Sequence, residues 1–171
     1  MNEITEILKY TVPALITGGV SAYFLNQFLR EEQSKRKLEI FHEKKKESLP
    51  LRLQAYERMT LFLERIDLRN LLNRNEAYDY NKIEYSKNLI SQINTEFEHN
   101  LVQQIYISTD CWKLIETAKD TTLNIITAQS MKENIKSAED LIKALLEESK
   151  TKDTPLQLAK EFMMKEVQRL F

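Results

Sequence analysis

The chain has 171 residues, with 25 Lys+Arg against 26 Asp+Glu. That near-neutral balance lacks the basic stripe a nucleic-acid binder needs, so nucleic acid is not an expected partner. A single cysteine, Cys111, excludes an internal disulfide and any multi-cysteine metal site.

The only two glycines, Gly18 and Gly19, lie near the N-terminus. The rest of the chain is therefore poor material for β-hairpins or phosphate-cradling loops. Abundant Leu, Ile, Glu, Lys and Gln favour helix, and the predicted fold class is all-α.

Residues 10–29, YTVPALITGGVSAYFLNQFL, contain no Asp, Glu, Lys, Arg or His. As a helix they would span about 30 Å, the thickness of a bilayer's hydrocarbon core. Residues 1–29 therefore read as an N-terminal transmembrane helix with the membrane lipid bilayer as its partner. Only Lys9 precedes the stretch, whereas Arg30, Lys35, Arg36, Lys37, Lys44, Lys45 and Lys46 follow it. This asymmetry predicts a single pass, with the N-terminus outside and the remainder cytoplasmic. A cleaved signal peptide fits less well, because the leader is acidic and apolar residues continue past Val20-Ser21-Ala22. Tyr10, Tyr23 and Phe28 stand near the ends of the stretch as interfacial anchors.

Within the stretch Ala14, Gly18 and Ala22 recur every fourth residue, and Asn26 continues the series. Small residues at that spacing let two helix backbones approach, and a polar side chain can hydrogen-bond across the contact. These four residues are the candidate helix–helix contact.

Residues 30–48 read as a charged helical stalk, with Glu31–Lys35 and Glu32–Arg36 as i,i+4 pairs in the favourable orientation. Pro50 disfavours helix in the residue before it, so the pattern breaks at residues 48–50 and a cytoplasmic bundle of about five amphipathic helices, residues 49–171, begins. The first helix presents Leu53, Tyr56, Met59, Phe62, Leu63 and Ile66 on one face. Residues 67–80 read as a connection, with room for a short turn at residues 68–72. A second helix, near residues 81–104, aligns Ile83, Ile90, Ile93, Phe97 and Leu101. Ser108, Thr109 and Asp110 are good N-caps for a third helix through Trp112, Ile115, Ala118, Thr122 and Ile126. A fourth carries Ile135, Ala138, Leu141, Ile142 and Leu145, either continuing the third or parted from it near Gln129 and Ser130. Thr154, Pro155 and Gln157 combine an N-cap, a proline at the first helical position and a capping-box glutamine for the last helix.

Three blocks carry a family likeness: LPLRLQAYERM at 49–59, EFEHNLVQQIYIS at 96–108 and KEVQRLF at 165–171. Through them the chain resembles an uncharacterised family of small, N-terminally anchored bacterial membrane proteins. The resemblance implies an anchor with a cytoplasmic helical domain at the bacterial inner membrane, and supplies no substrate, cofactor or catalytic residue.

Chemistry-bearing residues are few. Both histidines end a Glu-x-x-His, at Glu39/His42 and Glu96/His99, the spacing used in di-iron helical bundles. Helical-wheel positions put Glu96 and His99 away from the apolar stripe, and no metal or cofactor is expected. Cys111 falls in a first helical turn, where the dipole can lower a thiol pKa, but a buried structural cysteine beside Trp112 is the commoner arrangement. Arg52, Glu57, Arg58 and Trp112 form the candidate partner surface, because aromatic and Arg residues dominate interface hot spots. The tyrosines Tyr78, Tyr80, Tyr85 and Tyr106 could extend it.

The reading is a non-enzymatic, membrane-anchored interaction or scaffold module that holds a protein partner or copies of itself. An accessory subunit of a larger membrane complex is the alternative, and a metal- or cysteine-dependent enzyme stands third.

Overall fold

A computed structural model describes residues 2–77, 80–150 and 154–171, except the side chains of residues 2–6, 8, 10, 13, 14, 41, 42, 44 and 45. Among these residues the chain is helical without a strand: α1 (Asn2–Ile66), α2 (Leu68–Arg74), α3 (Lys82–Asn100), a 3-10 turn (Leu101–Ile105), α4 (Thr109–Met131), α5 (Ala138–Glu148) and α6 (Pro155–Gln168). Two compact units divide it, Met1–Ser48 and Leu49–Phe171.

No helix among the described residues is long and apolar enough to cross a membrane, which overturns the expected N-terminal transmembrane helix. Composition supplies the reason. Residues 10–29 are uncharged, yet they include Thr11, Thr17, Ser21, Asn26 and Gln27 beside Pro13 and two glycines. Lack of charge is not the same as a hydrocarbon surface. The single-pass topology rests on that span and goes with it. The Lys/Arg asymmetry then has no span to orient, and Tyr10, Lys44 and Lys45 lie outside the described side chains.

In the first unit the expected i,i+4 pairs form, Lys35–Glu31 at 3.2 Å and Arg36–Glu32 at 2.6 Å. Both are solvated and hold the helix only weakly. The predicted break at residues 48–50 is absent, because α1 continues through Pro50. Proline removes one backbone donor, a local loss that does not forbid helix on either side of it.

In the second unit α4 packs against α3, α5 and α6. The α1 residues Met59, Phe62, Leu63 and Ile66 complete the core, joined by Tyr85, Leu89, Ile115, Ile126, Leu141 and Leu145. Phe62, Phe97 and Trp112 form an aromatic run, with ring centroids 5.5 and 5.4 Å apart. The Lys119 ammonium lies 4.4 Å from the Phe97 ring centre, a cation–π contact.

Caps set most helix ends. Asp67 starts α2 inside the segment expected to be a connection, by accepting from the Arg69 N–H. Asn81 and Glu84 close a capping box on α3, and Ser137 and Asp140 close one on α5. Ser137 thus separates α5 from α4, which ends at Met131. Thr154 caps α6 with Pro155 in its first turn as expected. The glutamine half of that box differs, because the Gln157 amide donates to Glu161 instead.

The buried face of α3 is also turned from the predicted stripe. Ile83 and Leu101 are exposed, whereas Tyr85, Leu89, Ile93 and Phe97 are buried, a rotation of about 60° at 100° per residue. Tyr85 accounts for it. Its fully buried ring needs a partner for the phenol, and the hydroxyl donates to the Asn75 carbonyl at 2.6 Å.

Candidate functional site

The most concentrated buried chemistry gathers where α1, α4 and α6 meet. Glu166 of α6 accepts hydrogen bonds from the Tyr56 hydroxyl at 2.7 Å and the Ser108 hydroxyl at 2.5 Å. The same Ser108 oxygen accepts the Cys111 N–H and caps α4. Arg52 Nε donates to the Tyr106 carbonyl at 3.3 Å. Burial pushes the Tyr56 phenol up to about 12, with the Glu166 carboxylate adding to the shift. Burial, again helped by Glu166, pushes the Cys111 thiol up to about 12. Both groups keep their protons at neutral pH. Burial thus acts on the Cys111 thiol in the direction opposite to the helix dipole.

Glu166 was not among the residues singled out by sequence, although a signal exists. It sits on the α6 stripe formed by Phe162, Met163, Val167 and Leu170, where a lone carboxylate among apolar positions needs buried partners.

The candidate partner surface does not assemble as one patch. Trp112 is buried and stacks on Phe97, and half-buried Arg52 is held by Tyr106, while Glu57 and Arg58 face solvent. Of the tyrosines, Tyr85 is buried, Tyr106 half-buried and Tyr80 exposed; Tyr78 lies outside the described residues. Glu96 is half-buried and pairs with Arg65 at 2.6 Å, and His99 is exposed. Glu39 is exposed, and the side chain of His42 lies outside the described set. No group of three or more His, Cys, Asp or Glu among the described residues could hold a metal.

Of the candidate helix–helix contact, Gly18, Ala22 and Asn26 are exposed, and the Ala14 side chain lies outside the described residues. A Cβ added at Gly18 or Gly19 would meet nothing within 4 Å. Around them Leu15, Ile16, Val20, Phe24, Leu25 and Phe28 are all more than half exposed or at its margin, from 50% at Val20 to 75% at Leu15.

Residues 2–170 match the model of a family of unknown function, DUF7935, and the chain belongs to that family. No curated protein and no solved structure matches it.

Proposed function

We propose that this DUF7935 member is a bacterial, non-enzymatic helical interaction module whose residues 11–29 bind copies of the same chain. The three sequence blocks at 49–59, 96–108 and 165–171 support the bacterial assignment. One observation carries the reading: a run of exposed apolar side chains surrounds two glycines that nothing among the described residues requires. Glycine inside a helix costs about 1 kcal/mol relative to alanine. Its compensating use is close approach by another backbone, here along Gly18, Ala22 and Asn26. An apolar surface of this kind on a helix is normally covered. In this reading the Leu49–Phe171 unit supplies the recognition surface for further partners.

Sedimentation of the full chain tests it, with Gly18→Leu as the variant. Open space around Gly18 leaves the fold intact, so the expected result is an oligomer for the wild type and a shift towards monomer for the variant. A monomeric wild type overturns self-association. If native purification then recovers a second protein in stoichiometric amount, the accessory-subunit reading takes its place.

A further inference from the structure

In the Leu49–Phe171 unit a cleft of about 260 Å³ lies between the end of α1, α2 and α3. Ile66, Leu71 and Ile93 border it but are themselves buried, and Arg65, Arg74, Glu96 and His99 also line it. Two guanidinium groups against one carboxylate give the cleft a positive balance before His99 is counted.

Both arginines are already held in place. Arg74 Nη2 donates to the Arg65 carbonyl at 2.6 Å and Nε to the Asn70 carbonyl at 3.3 Å. That bridge closes the C-terminal end of α1 and fixes the plane of the fork, leaving Nη1 as a donor. Arg65 Nη1 meets Glu96 at 2.6 Å while half of its side chain stays exposed. A guanidinium fork with its orientation set loses little entropy on meeting an oxyanion, and it can bind bidentately. The Arg65 side of the pair is open to solvent, so a competing anion can reach its guanidinium.

We propose that this cleft binds a small oxyanion, a phosphate, phosphate monoester or carboxylate, between Arg65 and Arg74. The volume suits a small molecule, near the lower end of ligand pockets. Because Glu96 competes for Arg65, its removal should strengthen binding, which a generic positive surface would not predict for this residue alone.

Calorimetric titration of the full chain with phenyl phosphate and inorganic phosphate tests the site. Both probes should bind, because each presents the same oxyanion to the two guanidinium groups. Glu96→Gln should tighten phenyl phosphate by about fivefold or more, and Arg65→Gln should weaken it by about tenfold, in line with charge-assisted hydrogen bonds. Glu98→Gln makes the same charge change on an exposed side chain outside the cleft, and it should leave affinity unchanged. No heat with either probe, or equal effects of Glu96→Gln and Glu98→Gln, would overturn the proposal. Should Arg65→Gln fail to fold, the comparison of Glu96→Gln with Glu98→Gln decides alone.

Discussion

At the scale of single residues the Glu166 cluster couples stability to alkaline pH. The Tyr56 phenol and Cys111 thiol both bind their protons more tightly folded than unfolded, chiefly through burial. Stability from a raised pKa is fully present below the unfolded value and is lost as pH rises through the folded one. The thiol window therefore opens near its ordinary 9.0 and the phenol window near 10.0, and both close near 12. Urea midpoints measured from pH 8 to 12 should fall across that range, and Tyr56→Phe and Cys111→Ala should each flatten part of the decline. A midpoint that does not change with pH in the wild type would mean that neither group is buried as described. Cys111 was legible as a buried cysteine, whereas Trp112, assigned to the partner surface, is buried beside it. Glu166 was not singled out, because a carboxylate among 26 acidic residues looks ordinary until its place on the α6 stripe is counted.

At the scale of elements, legibility followed the kind of side chain that faces inward. The α4 positions Trp112, Ile115, Ala118, Thr122 and Ile126 were expected on one face and are all buried. Aliphatic spacing alone located them. On α3 the inward face includes Tyr85, whose polar hydroxyl disguised a core position, and the predicted stripe was turned as a result. The short α2 was legible only as a turn at residues 68–72, because its start depends on the Asp67 cap rather than on periodicity. Pro50 is the sharpest difference, since local preference marks a break where α1 continues. An interior proline costs a helix about 3 kcal/mol. Pro50→Ala should therefore raise the thermal midpoint and the helical circular dichroism signal. No gain in either would show that the chain is interrupted at that residue after all.

At the scale of the whole molecule, the described hydrophobic core lies within Leu49–Phe171, and it contains no residue of Met1–Ser48. Burial on this scale is the main favourable term in folding. The 49–171 fragment should unfold in one cooperative urea transition while lacking the self-association assigned to residues 11–29. A fragment without a cooperative transition would mean that the first unit contributes to the core. The all-helical class was readable from composition, because scarcity of glycine and wealth of Leu, Lys and Glu act on every segment alike. The membrane span was not, because residues 10–29 are free of charge without being uniformly apolar.

The Ser108 hydroxyl performs two tasks in the second unit: it caps the first turn of α4 and donates to a carboxylate on α6. When α6 leaves its place, that hydroxyl loses its acceptor and is free to rotate away from the cap. The amide proton of Cys111 then becomes open to solvent exchange. The start of α4 thereby registers whether the last helix of the chain is seated.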